Sequence, residues 1–309
     1  MPEPLLYLKS MGAAALVSAM FVLTLAGVKR PIGATRLNSA CVLAIGFGIA
    51  VGNSVLPLRF TWPPVNGLDR FLTVVIPAAL GVELIAGFRC VPPSAAWFLR
   101  ISLAATIPRI LLHGSSYLNG SDDDWAPWQV GSALAACGTL LAGLWSLLFW
   151  LSQRSRSGVS ISLALFLATQ CAGLTVMMAG YIKGGAAAFP LAATLVATTV
   201  GARLIAKDLA PAIVGVGVVN LFGVLFIGRF FGRLSTGCAL VMLLAPLLCW
   251  VTEIPPLRHR KPWLVGSLRL VLVAIPLLVV LAMAKRDFDR DMAPLLGHAC
   301  ATTWQASFR

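Results

Sequence analysis

"FLTVVIPAALGVELIAGFRCVPPSAAWFLRISLAATIPRILLH", Phe71 to His113, decides the fold. It contains two apolar runs divided by "RCVPP", Arg89 to Pro93. About 20 apolar residues cross the hydrocarbon core of a bilayer as a helix. Neither run alternates with period two, as a membrane β-strand about half as long would. Without water, backbone groups must bond internally, which a helix achieves within one segment. The double proline falls in the break, where no helix hydrogen bond is lost. The stretch therefore predicts a pair of membrane-crossing helices.

The rest of the 309 residues repeats this pattern. The chain is 59% hydrophobic and 11% charged, with mean hydropathy +0.88, against about 45–50% and about 25% in soluble domains. Ten spans are expected: Met11–Val28, Leu37–Leu58, Phe71–Phe88, Ser94–His113, Val130–Leu151, Gly158–Ile182, Ala187–Ala206, Leu209–Phe231, Leu234–Ile254 and Pro262–Lys285. The fold class is all-α, a polytopic integral membrane bundle of about ten helices. A count of nine follows if one segment beside the tight breaks "AKD" (206–208) or "GR" (232–233) is re-entrant or broken. No linker or shift in composition divides the chain, so it reads as one transmembrane domain over 1–309 with a short polar tail, 286–309. Ten spans in this length suit a five-plus-five inverted repeat, although the halves share no motif.

Tryptophan prefers the headgroup level, and Trp62, Trp97, Trp125, Trp128, Trp150, Trp250 and Trp263 all fall near span ends. Trp145 lies further in and Trp304 is in the tail. The start "MPEPLLYLKS" has one basic residue and the first apolar run is followed by "VKRPIGATR", the reverse of a secretory signal. The first helix is therefore expected to be retained with its N-terminus outside. Odd-numbered loops are then cytoplasmic under the positive-inside rule, and they hold Lys29, Arg30, Arg36, Arg89, Arg154, Arg156, Arg203, Lys207, Arg258, Arg260 and Lys261. The last third agrees less well, since Arg229, Arg233 and the basic start of the tail fall on the other side. A bacterial cytoplasmic (inner) membrane is the expected location.

The net charge of +13 is spread over short loops. Nucleic-acid binding needs a basic face on a water-accessible domain, so the lipid bilayer and its anionic headgroups are the expected partners of these residues. Seven cysteines without a C-x-x-C pair read as small apolar packing residues, and His298 with Cys300 is too small a set for zinc. No metal and no cofactor are expected. Two G-x-x-x-G patterns, Gly48/Gly52 and Gly228/Gly232, allow close helix contact, either within the chain or with a membrane partner or second copy.

Ionisable residues inside spans are costly and point to function. Glu83 is the acid deepest in any span, and Arg100 stands in the next helix. Counted from a turn near Val91-Pro92, each lies about 12–13 Å along its helix, so the two are expected to be level. They form either a static ion pair or a coupling site at which a proton or an anionic solute competes for one partner. Pro77 is expected to loosen the helix before Glu83. Asn53, Gln170 and Asn220 either line a cavity or hydrogen-bond between helices. Arg269 is close enough to "RHRK" (258–261) to reach the interface.

Asp122, Asp123 and Asp124 form an acidic cluster in "SSYLNGSDDDWAPW". Adjacent carboxylates suit a divalent cation, but no second acidic cluster or diphosphate clamp accompanies them. Arg109 and His113, four residues apart at the end of the preceding helix, are the charges this external loop would meet. Asp287, Asp289 and Asp291 lack the Gly and Glu that a calcium loop needs; a solvated helix end is expected instead, with Asp287–Arg290 and Arg286–Asp289 as neighbours. Three functions follow. A small-solute transporter or permease using Glu83, Arg100 and Asn53, Gln170 or Asn220 is favoured. A non-catalytic membrane subunit or scaffold and a lipid-active enzyme built on Asp122–Asp124 are the alternatives. The chain is expected more often not to be an enzyme.

Overall fold

The computed structural model describes residues 4–26, 33–56, 63–115, 127–154, 159–205, 210–253 and 261–306. They form an all-α polytopic bundle without strands among the described residues. The helices are α1 (Pro4–Ala26), α2 (Ala34–Val55), α3, α4 (Pro93–Leu112), α5 (Pro127–Arg154), α6 (Val159–Met178), α7 (Ile182–Ile205), α8 (Pro211–Phe231), α9 and α10 (Pro262–Ala306). Helix α3 has three parts: Gly67–Arg70, a π-helical turn Phe71–Val75 and Ile76–Ala86. Helix α9 is α-helical over Thr236–Leu244 and continues as a 3₁₀ helix over Ala245–Glu253.

Nine described helices are long and apolar enough to cross a membrane. Interrupted α3, with parts of four, five and eleven residues, stands where a tenth span was expected and is not one of these nine. These elements occupy the ten expected positions. Each of the three segments following Met178 that could have been re-entrant is a helix of crossing length: Ile182–Ile205, Pro211–Phe231 and Thr236–Glu253.

Local chemistry sets many of the boundaries. Helices α1, α4, α5, α8 and α10 begin with proline, whose fixed φ and missing N–H suit a first helical turn. Ser235 caps α9 by accepting from the Cys238 amide at 3.2 Å. Gly180, with φ +88°, ends α6 in the left-handed conformation that glycine adopts most readily. The expected break at 183–186 is thus displaced: Lys183 to Ala186 lie inside α7. A β-carbon on Gly185 would overlap the Gly173 carbonyl and Met177 of α6, so this glycine serves helix contact instead of a turn.

Helix α8 is the axis of the bundle, with 94% of its membrane window buried, against 22% in each of the first and last helices. It packs against α2, α3, α5, α6, α7 and α9. Phe71, in the π turn, lies against Gly223 of α8, where a β-carbon would overlap its ring. Pro77 follows within the first two residues of the Ile76–Ala86 part. The π turn resets the helix just before proline, so the expected loosening takes the form of a widened turn.

Both G-x-x-x-G patterns are occupied within the chain. A β-carbon on Gly48 would overlap Ser18 of α1 and approach Thr194 of α7, while one on Gly52 would crowd Pro190 and Ala14. Gly228 meets Val176 of α6, and Gly232 meets the Gly228 carbonyl and Tyr181. A membrane partner at either stripe would have to displace these contacts. The polar tail begins as a continuation of α10. Arg286, Asp287, Asp289 and Arg290 are helical and exposed, the solvated helix end that the alternating charges suggest.

Candidate functional site

Helix α3 delivers Glu83 one turn before its end at Ala86, and α4 delivers Arg100 two turns after its start at Pro93. The hairpin brings them together in a bidentate ion pair. Arg100 Nε donates to Glu83 Oε1 at 2.9 Å, and Nη2 donates to Oε2 at 2.8 Å. Glu83 is 1% exposed and Arg100 is 6% exposed. The pair is level, as expected, but shallower. Gly87 to Pro92 are non-helical, leaving Glu83 about 5 Å of helix from the end of α3.

Aromatic residues enclose the guanidinium. Its carbon lies 4.5 Å from the Phe149 ring centroid and 5.2 Å from that of Trp97. The two rings meet edge to face at 5.2 Å. Such faces attract a desolvated cation. Behind the pair, α8 carries Gly215, where a β-carbon would overlap Glu83 Oε1 and stand 3.0 Å from Trp145 Nε1. Trp145 is fully interior at 1% exposure, and its indole N–H has no hydrogen-bond partner.

Asn38 ties three helices together. Its Nδ2 donates to the Glu83 carbonyl at 3.2 Å, and its Oδ1 accepts from the Ala212 amide at 3.2 Å. It therefore caps the start of α8 from α2, a service usually performed by a residue adjoining the helix. Gly87 makes room, since a β-carbon there would overlap Asn38 Nδ2. Its position one residue into an apolar span offered little local signal. Its role depends on a helix that starts 173 residues later, at Pro211.

Beside this cluster is an open cleft of about 310 Å³ lined by Thr35, Asn38, Glu83, Trp97, Arg100 and Phe149, with Ala86, Gly87, Val91, Pro93, Ala96 and Pro211. It opens at the end of the bundle where α2, α4 and α8 begin and α3 ends.

The other expected polar residues are placed elsewhere. Asn53 and Asn220 are buried at 1% and 0%, Gln170 is half-buried, and none lines the cleft. Asn53 Oδ1, Gln170 Nε2 and both amide atoms of Asn220 are buried without a hydrogen-bond partner. Arg109 and His113 are exposed. Arg70 donates through Nη1 to the His113 carbonyl. Asp122, Asp123 and Asp124 lie outside the described residues, and no group of three metal-ligating side chains occurs among those described.

Arg269 departs from expectation. Instead of reaching the interface it is 2% exposed, donating to Thr252 Oγ1 at 2.6 Å, Ser160 Oγ at 3.0 Å and Glu253 Oε1 at 2.6 Å. The 3₁₀ continuation of α9 packs on α10 and carries Thr252 and Glu253 to its level. A network with several donors satisfied explains its burial without invoking a ligand.

The chain is thus a multi-pass helical membrane protein with a cleft beside a buried ion pair at one end. No protein-family model, curated protein or solved structure matches it.

Proposed function

We propose that the protein is a small-solute transporter or permease. The observation that carries this reading is the cleft of about 310 Å³ beside a buried Glu83–Arg100 pair. Its volume lies at the lower end of the range for small-molecule sites, about 300–1,000 Å³. A purely structural ion pair has no need of an adjoining open cavity. The π turn in α3 and the 3₁₀ continuation of α9 interrupt two helices, and such interruptions often accompany functional sites and hinges. Transport through the cleft would use α3, which carries Glu83, as its moving wall.

The test is reconstitution into proteoliposomes incubated with a mixed small-metabolite extract, followed by mass spectrometry of their contents. The expected result is selective accumulation of a solute class relative to empty liposomes and to the double variant Glu83→Gln/Arg100→Gln. Equal contents in all three preparations would reject the reading.

A further inference from the structure

We infer that the cleft takes a small water-borne organic anion whose carboxylate sits on the unused end of the Arg100 guanidinium. This rests on the transport site above and names its solute class. A planar guanidinium has five N–H donors arranged in a fork that matches a carboxylate. Glu83 occupies the Nε/Nη2 edge. Among the described residues Nη1 has no acceptor, although Arg100 is 6% exposed and lines the cleft. The Nη1/Nη2 end therefore presents donors to the cavity without breaking the Glu83 pair.

The helix starts around the cleft also favour an anion. Glu83 and Arg100 neutralise each other, so a bound carboxylate introduces one uncompensated negative charge. Three helices, α2, α4 and α8, begin at the cleft, through Thr35, Pro93 and Pro211. Each helix start carries roughly half a positive charge. The residues preceding them, Gly33, Pro92 and Ala210, provide no side-chain cap. Asn38 satisfies the Ala212 amide of α8, leaving the first turns of α2 and α4 without a comparable bond. Arg89 brings a further cation to the start of α2, its Nη2 standing 3.9 Å from where a β-carbon on Gly33 would be.

The walls describe the rest of the solute. Trp97, Phe149, Ala96 and Val91 provide apolar surface, and Thr35 provides a hydroxyl. An aromatic ring fits, since a cavity of about 150 Å³ holds benzene. A small carboxylate with an apolar body combines these requirements; an ammonium compound would bring a second cation to Arg100.

The experiment titrates the full chain in phosphatidylcholine nanodiscs with benzoate, benzamide and benzylamine, using calorimetry and thermal stability. Saturable benzoate binding is expected, with the neutral and cationic analogues at least about tenfold weaker, as loss of a charge-assisted hydrogen bond implies. Arg100→Lys, which keeps the charge but removes the fork, should weaken benzoate by a similar factor. Thr35→Val should weaken it without altering the ion pair, and serves if the lysine variant does not fold. Equal binding of the three probes, or no saturable benzoate binding up to about 10 mM, overturns the inference. So does unchanged benzoate affinity in folded Arg100→Lys, or in Thr35→Val if the lysine variant fails to fold. Competitive loss of benzoate binding in phosphatidylglycerol nanodiscs also overturns it, by assigning the site to a lipid headgroup. Benzoate binding without flux of any solute would reject transport but retain the anion site; flux of neutral or cationic solutes without benzoate binding would do the reverse.

Discussion

Replacing Glu83 with glutamine isolates the energetic importance of the buried pair. The amide nearly preserves the shape of the carboxylate but removes the counterion of a guanidinium that is 6% exposed. It also loses one of the two acceptors used by Nε and Nη2. Breaking a buried pair from one side costs about 3–5 kcal/mol. With unfolding entropy near 2.1 cal/mol/K per residue, the 309 residues correspond to about 0.65 kcal/mol/K. The expected fall in Tm is therefore about 5–8 °C. Glu83→Gln/Arg100→Gln removes the lone charge and should recover at least about 3 °C relative to either single variant, since neutral replacement of a whole pair costs less than loss of one partner. Purified variants in nanodiscs, followed by intrinsic fluorescence during heating, provide the measurement. A Glu83→Gln value within about 2 °C of the parent, or additive effects in the double variant, would refute the assignment of a dry, mutually dependent pair.

Three further outcomes test the surroundings. Gly215→Ala should lower stability by about 1–3 kcal/mol through overpacking, because its methyl group overlaps Glu83 Oε1 beside Trp145; unchanged thermal stability would contradict this packing. Asn38→Ala should cost about 1–3 kcal/mol, since both the Glu83 carbonyl and the Ala212 amide lose a buried partner; thermal unfolding again provides the readout. Cys90 is the exposed thiol among the described cysteines and belongs to the α3–α4 loop. In a Cys137→Ser/Cys238→Ser/Cys300→Ser background, an N-outside orientation predicts that impermeant maleimide labels Cys90 in inside-out vesicles but not in intact cells. Labelling from the cell exterior would reverse the orientation.

The hairpin and the spacing of Glu83 and Arg100 were legible because each depends on local chain properties. Apolar run length sets a crossing, Pro92-Pro93 breaks it, and equal counts from one turn make two residues level. The cleft was less legible because its other parts arrive from distant helices. Asn38 needs the start of α8, the Glu83 seat needs Gly215, and the aromatic enclosure needs Phe149. Arg269 was misread for the same reason. Proximity to a loop in sequence suggests an interfacial side chain, but the packing of α9 on α10 supplies it with buried acceptors. Asn53, Gln170 and Asn220 show that an intramembrane amide does not by itself point toward a cavity.

The central claim is that solute passes through the cleft beside Glu83 and Arg100. Thr35 lines that cleft in the first turn of α2 and is only half-buried, so Thr35→Trp can place an indole in the opening without creating an unpaired charge. The decisive measurement is flux of the identified solute into proteoliposomes containing the parent or Thr35→Trp, at matched protein content and Tm. The account predicts parent-dependent flux that falls at least about tenfold in Thr35→Trp, a barrier change of about 1.4 kcal/mol. Equal flux through both proteins would contradict it.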